Sequence, residues 1–282
     1  MDAGPLVDPL TGDVVVVVGE RQARPNLPAD GCPFCPGGLE APEPYDVRSF
    51  PNRWPPLPDG RAEVVLYAPE HDASLATLPP DRVQRVVELW AERTRALGGR
   101  DDVDYVLVFE NRGSAVGATI PHPHGQVYGF TGIPPAARCG LEADPCPLCE
   151  EEPGDRLVAA TGSWRAWVPA AASWPYGLVL VPDGHLPDLP AAAAGHGDVA
   201  ALLVDVFGRL DRLFAEPMPL MWWWHQRPTD GGEWPGAHLH AHVSPLLRGP
   251  GTPRFVAAGE LGSGIFFNPV EPADAAARLR GV

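Results

Sequence analysis

Residues 118–130 read ATIPHPHGQVYGF, and the chemistry of the chain starts from the two histidines set either side of one proline. In an extended segment alternate side chains share a face, so His122 and His124 point the same way. An imidazole there has two kinds of work open to it: ligating a metal, or attacking phosphorus as a covalent nucleophile. The preceding ENRGSAVGATIP carries Gly113 and Gly117 among small and hydroxyl residues, a composition that lets backbone N–H groups approach phosphate oxygens closely.

The cysteines separate the two roles. Four of the five form Cys-x-x-Cys pairs, Cys32/Cys35 and Cys146/Cys149. His71 follows Cys35 by 36 residues and His185 follows Cys149 by 36; His122 and His240 then follow by 51 and 55. Two thiolates and two imidazoles suit a closed tetrahedral zinc site, and the same spacing occurring twice is far stronger than a single pair. We therefore expect zinc on Cys32, Cys35, His71 and His122, and a second zinc on Cys146, Cys149, His185 and His240. Closed sites leave no open position, so the metal is assigned a structural role, holding the HPH segment still. With His122 committed to metal, His124 is not needed for that site, and an imidazole held there can act as a nucleophile toward phosphorus. The bland alternative is inert cysteines and polar loop histidines; a redox Cys-x-x-Cys motif is a third reading. Cys139 reads as a small packed residue.

These residues must be positioned by a repeated unit. The cysteine pairs and His71/His185 recur at an offset of 114, and LYAPEHDASLATLPP recurs as LVPDGHLPDLP. A helical apolar pattern follows each, over 79–98 and roughly 197–214. Strand-like runs and histidine clusters close each half; aligning His122/His124 with His240/His242 gives an offset of 118, four residues inserted. The expected organisation is one unit of about 115 residues, duplicated, with a boundary between 1–135 and 136–282 and the two sheets joined in one body. The pentavaline run 14–18 reads as a strand, and Pro/Gly-rich stretches as loops.

Composition narrows the class. An apolar content of 45% with 20% charged residues is that of a globular protein. A net charge of −15 argues against nucleic-acid partners, which need basic surface, but leaves room for a small phosphorylated ligand. No apolar run is long enough to span a membrane, and the acidic start lacks a signal-peptide pattern, so a cytoplasmic location is expected.

At this point the sequence resembles the galactose-1-phosphate uridylyltransferase family of the histidine-triad superfamily. The motifs are CPFC, NRWPPL, APEHDASLATL, ENRGSAVGATIPHPHGQ, WPYGLVLVP, WHQRP, HLHAHVSPLLR and RFVAAGE, spread over nearly the whole chain. The resemblance implies an α+β fold of duplicated histidine-triad-like units, each an antiparallel half-barrel sheet with flanking helices, in a homodimer. It implies nucleotidyl exchange between an NDP-sugar and a sugar 1-phosphate through a nucleotidyl-histidine at His124, with Gln126 on the phosphoryl oxygens. Asn111 and Thr119 would line the phosphate site, and Asn52 with Phe50 would hold the nucleoside. Arg21 and Arg24 match basic residues lent across the dimer; Arg254, Phe255 and Glu260 match the segment that touches the hexose. A sugar 1-phosphate leaves as a phosphate and needs no acid, so an amide at Gln126 suffices where related hydrolases carry a histidine. Simpler readings stand beside these: turn-capping for Gln126 and Asn111, solvated charge for Glu260, Arg21 and Arg24.

The expected reaction is UDP-glucose plus galactose 1-phosphate giving UDP-galactose plus glucose 1-phosphate. The alternatives are an NDP-sugar phosphorylase or a pathway-specific nucleotidylyltransferase, for example one acting on ADP-sugars, or an inactive zinc-stabilised nucleotide-binding protein. Some family members bind iron through a glutamate and three histidines. His225, His240 and His242 match those histidines, but the nearest acid is Glu142, which disfavours the iron version. After Glu260 the segment LGSGIFFNPV also lacks a glutamine that the family often uses on the sugar.

Overall fold

The computed structural model describes residues 5–23 and 31–282. A short hairpin, β1 (Leu6–Val7) and β2 (Val14–Val15), opens the chain, turned at Asp8, whose carboxylate accepts the Leu10 backbone N–H at 2.7 Å. The run 14–18 is strand only over its first two residues, and Val14–Val17 lie exposed. Branched side chains favour a strand, but two strands offer no second layer to bury them against.

The first unit consists of β3 (Arg48–Pro51), β4 (Ala62–Leu66), α1 (Pro80–Gly98), β5 (Tyr105–Arg112) and β6 (His124–Phe130). The second comprises α2 (Pro135–Leu141), α3 (Pro147–Glu150), β7 (Leu157–Thr161), β8 (Trp164–Trp167), β9 (Leu178–Pro182), α4 (His196–Leu213), β10 (Leu220–His225) and β11 (His240–Pro245). A small hairpin of β12 (Leu247–Gly249) and β13 (Thr252–Pro253) leads to α5 (Ala258–Ser263) and α6 (Pro272–Arg280). Both long helices fall where the sequence pattern places them. In α1, Pro80 starts the helix and Val83, Val86, Val87, Trp90 and Leu97 form its buried stripe.

The two units join edge to edge. Nine antiparallel strands form one sheet in the order β3-β4-β6-β5-β10-β11-β9-β8-β7, with β5 paired to β10 at the seam. Helices α1 and α4 pack together over one face, burying Trp90, Trp164, Trp222, Trp224 and Phe207. The opposite face carries the polar alternation: His124, Gln126 and Tyr128 on β6, Asn111 on β5, His225 on β10, His240 and His242 on β11. One transverse row runs Phe50, Val64, Gln126, Phe109, Trp223, His242 across six strands. Gln126 and His242 are thus three strand spacings apart, about 14 Å. Among the described residues no helix is long and apolar enough to cross a membrane.

Candidate active site and metal centres

The Cys-x-x-Cys knuckle at Cys32–Cys35, the residue His71 after β4, and His122 just before β6 meet at one point, with candidate ligand atoms all within 4.8 Å. His122 Nδ1 lies 3.7 Å from both Cys32 Sγ and Cys35 Sγ, and His71 Nδ1 lies 3.5 Å from Cys35 Sγ. Zinc bonds of about 2.3 Å to sulfur and about 2.0 Å to nitrogen put S and N about 3.6 Å apart on a tetrahedron, so the donor set fits that ion. The outer contacts fit too. His122 Nε2 is 2.8 Å from the Ala68 carbonyl and 2.8 Å from the Tyr45 hydroxyl, leaving the Nδ1 lone pair for metal. Burial and the neighbouring Cys32 push the Cys35 thiol up, so the thiolate needs a cation beside it. Both cysteines sit against imidazoles, which supports the metal reading over a redox pair.

The second tetrad differs from expectation in one member. Cys146, Cys149, His185 and His238 converge, whereas His240 lies with His225 and His242 in a separate cluster. His238 Nδ1 is 3.5 Å from each sulfur, and His185 Nδ1 is 3.2 Å from Cys149 Sγ. The motif HLHAH has histidines at three alternating positions, so a two-histidine motif fits it in two registers, and a slip of two keeps every side chain on its face. The structure selects His122 with His238, His124 with His240 and Gln126 with His242, an offset of 116 in place of 118. His238 could have been favoured in sequence by the smaller insertion this offset requires.

His124 is held by its own strand. His124 Nδ1 lies 2.7 Å from the His122 carbonyl; a carbonyl only accepts, so Nδ1 carries the proton and the ring's lone pair sits on Nε2. Phe34, buried inside the cysteine knuckle, packs edge-on to the His124 ring at 5.1 Å and to Phe50 at 5.8 Å. Sequence reasoning missed Phe34 and Tyr45; both follow only once the knuckle is known to fold over the His124 strand. Asn52 Nδ2 reaches Gln126 Oε1 at 3.4 Å, joining two expected site residues. Asn111, one residue before the end of β5, faces the same side, and Gly113 (φ 96°) and Gly117 (φ 86°) bend the loop that follows, which contains Thr119. A side chain at Gly113 would meet Pro219 at 3.1 Å, so the loop can run there only with glycine.

The carboxy-terminal residues are arranged differently from an open sugar cradle. Arg254 is buried, donates to Glu260 Oε1 at 2.5 Å and lies over the Trp174 ring at 4.6 Å. Glu260 also accepts the Ala257 and Phe267 backbone N–H groups, both at 2.9 Å, and these bonds lower its pKa. The pair therefore braces α5, and presents Phe255 with 78% of its surface exposed. Arg21 lies half-buried in a 3-10 turn, Gly19–Ala23; Arg24 falls outside the described residues.

The remaining cluster, His225, His240 and His242, is three imidazoles without a carboxylate; Glu142 is not among them. Burial and mutual repulsion hold His225 down at about 3 and His240 at about 4; burial alone holds His242 at about 4. His240 repeats the device of His124, with Nδ1 2.6 Å from the His238 carbonyl. Its surroundings do not repeat: a cavity of about 140 Å³ beside it is lined by Leu141, Leu148, Tyr105 and Gly140. Three neutral imidazoles are a donor set that suits a transition metal, though among the described residues no glutamate completes the iron pattern.

Two family models match the chain: the N-terminal domain of galactose-1-phosphate uridyl transferase over residues 55–134 and its C-terminal domain over 144–259. A galactose-1-phosphate uridylyltransferase of Thermotoga maritima is 34% identical, covering 97% of this chain and 96% of its own. An ADP-glucose phosphorylase of Arabidopsis thaliana is 25% identical over 98% of this chain and 94% of its own. A solved uridylyltransferase structure superposes with a TM-score of 0.89 at 28% identity, covering 99% of this chain and 98% of that one. The duplicated antiparallel fold, the HPHGQ strand and these matches together place the chain in the galactose-1-phosphate uridylyltransferase family of enzymes.

Proposed function

We propose that the enzyme moves a nucleoside monophosphate between an NDP-sugar and a sugar 1-phosphate by way of a covalent nucleotidyl-His124. The observation that carries this reading is the His124–His122 carbonyl hydrogen bond at 2.7 Å, which fixes the ring and puts its lone pair on Nε2 on the same sheet face as Gln126. In the first step Nε2 attacks the α-phosphorus, the P–O bond to the sugar phosphate breaks, and its electron pair leaves on the sugar 1-phosphate. In the second step the incoming sugar 1-phosphate oxygen attacks the same phosphorus and the N–P bond returns its pair to Nε2. The leaving and entering groups are phosphates, so no proton transfer is needed, and positioning carries the catalysis. Asn111, Thr119 and the glycine-bent loop are assigned to the phosphates, Phe50 and Asn52 to the nucleoside.

The name of the Thermotoga relative supports UDP-glucose and galactose 1-phosphate as substrates. The Arabidopsis relative supports a second reading, in which an ADP-sugar is the donor and phosphate the acceptor. Intact-mass measurement after incubation with single NDP-sugars separates them: a uridylyl adduct with UDP-glucose supports the first, an adenylyl adduct with ADP-glucose the second.

Zinc in each Cys2His2 tetrad would act as a cross-link, the first fixing the knuckle and the residue before β6; the tetrads keep no position open for substrate. The 135/136 boundary is read as one between duplicated units of a single sheet rather than between independent bodies. We assign the exposed apolar residues Leu10, Val14–Val17, Phe255, Leu261 and Phe267 to a homodimer interface, in which Arg21, Arg24 and the Phe255 segment would serve the neighbouring site. A monomer mass by light scattering at micromolar concentration contradicts that assignment.

A further inference from the structure

Gln126 can help a transferring phosphoryl group only if its amide presents N–H; turned over, it would aim a carbonyl at anionic oxygens. Its orientation is forced by a chain of contacts that starts at the backbone. The Trp54 N–H can only donate, and it bonds Asn52 Oδ1 at 2.9 Å. That leaves Asn52 its NH2 group for Gln126, which must answer with Oε1, 3.4 Å away. The Tyr128 hydroxyl donates to the same Oε1 at 2.6 Å, the shorter of the two contacts. Turning the amide over would set NH2 against NH2 at Asn52 and exchange the short bond that Tyr128 donates to Oε1 for one it could only accept. The tyrosine is itself fixed, because its ring packs edge-on against Phe109 at 4.7 Å, and Phe109 is the β5 partner of Gln126.

We infer that Tyr128 is a positioning residue for nucleotidyl transfer: it locks the Gln126 amide with its nitrogen turned toward the phosphoryl site of His124. Strand periodicity makes this possible, since Tyr128 follows Gln126 by two residues on β6 and shares its face. The inference rests on the nucleotidyl-transfer reading above.

The test is a double-mutant cycle on Tyr128→Phe and Gln126→Ala, read as the rate of glucose 1-phosphate release from UDP-glucose or ADP-glucose in a single turnover. Tyr128→Phe should lower that rate by about tenfold, the scale of a misdirected hydrogen bond to a charged group, with less than about a twofold change in KM. In the Gln126→Ala background it should cost nothing further, because its effect runs through that amide. A full second loss in the double variant, a loss confined to KM, or no loss in Tyr128→Phe overturns the inference. A second readout is independent of turnover. In nitrogen-15 spectra, the Gln126 carboxamide, identified by its disappearance in Gln126→Ala, should resonate away from solvent-exposed glutamines and move toward them in Tyr128→Phe. An unmoved resonance overturns the inference, whereas wild type that forms no nucleotidyl-enzyme overturns only the reading it rests on.

Discussion

The strands HPHGQ and HLHAH share one device and set it among different neighbours. In both, a histidine donates Nδ1–H to the carbonyl two residues back, at 2.7 Å for His124 and 2.6 Å for His240, and in both the preceding histidine joins a Cys2His2 tetrad. What differs is the neighbour in each direction. His124 has Gln126, Asn52 and a glycine-bent loop on its side of the sheet; His240 has His225, His242 and an apolar cavity. The lesson is that backbone-held tautomers survive duplication, while the chemistry follows from the side chains that ring them. The tetrads differ in the same way. His122 is buried and its Nε2 has a carbonyl and a tyrosine hydroxyl at 2.8 Å, while Cys149 and His185 of the second tetrad are exposed.

The strongest way to break this comparison is to remove each histidine in turn. His124→Ala should lower turnover by more than about 10³-fold, as expected when a covalent nucleophile is lost, with folding and zinc content intact. His240→Ala should leave nucleotidyl transfer within about tenfold of wild type, because His240 clusters with His225 and His242, three strand spacings from His124. Equal losses in the two, measured by steady-state kinetics with circular dichroism as the folding control, contradict the assignment.

Next in size are the tetrads. Cys32→Ser should cost on the order of 5 kcal/mol of stability with loss of one zinc, since metal binding is part of the folding free energy. Cys146→Ser should cost roughly half of that, because its tetrad is more exposed to solvent. Metal analysis and denaturant unfolding of both variants decide the order; equal costs would mean that exposure of the tetrad contributes little.

The helix-facing side of the seam offers a pH test. Glu110 on β5 is buried and accepts a hydrogen bond from Trp222 Nε1 at 2.9 Å, and burial pushes its pKa up to about 7. The matching position in the second unit is Trp224, an apolar ring. A carboxyl with a raised folded pKa binds more protons folded than unfolded, so its contribution to stability is present below the unfolded pKa and is lost as pH rises to about 7. Relative to Glu110→Gln, the wild type should lose up to about 3 kcal/mol between pH 4.5 and 7 and change no further above that. A constant difference across that range contradicts the burial argument.

The smallest effect concerns the second residue of the comparison. Gln126→His copies the His242 position onto the first strand and supplies an imidazole able to assist water. The ratio of released nucleoside monophosphate to NDP-sugar product should rise by about tenfold. An unchanged ratio removes the role given to the amide.

Much of this was legible before the structure. The repeated 36-residue spacing located both knuckles, the 3.6-residue apolar stripes located α1 and α4 to within a residue, and the glycines before HPHGQ marked the bent loop after β5. The mismatch at the second tetrad comes from the strand's two-residue period. It cannot tell HLH from HAH, so His240 was expected where the structure has His238. Contacts between distant segments were also out of reach: Phe34 over His124, Tyr45 on His122, and the buried Arg254–Glu260 pair each join residues that no local pattern links. The pentavaline run shows the converse, a strong strand former left mostly without a strand because no second layer covers it.

The most direct measurement locates the nucleotide on the protein. Wild-type enzyme is incubated with UDP-glucose or ADP-glucose alone, denatured at alkaline pH where a phosphorus–nitrogen bond to imidazole survives, digested, and mapped by mass spectrometry. A nucleotidyl mass on the peptide carrying His124, absent from the peptide carrying His240 and lost on acid treatment, is the predicted result. Adduct on the His240 peptide, or exchange of labelled glucose 1-phosphate into the NDP-sugar with no adduct at all, contradicts the account.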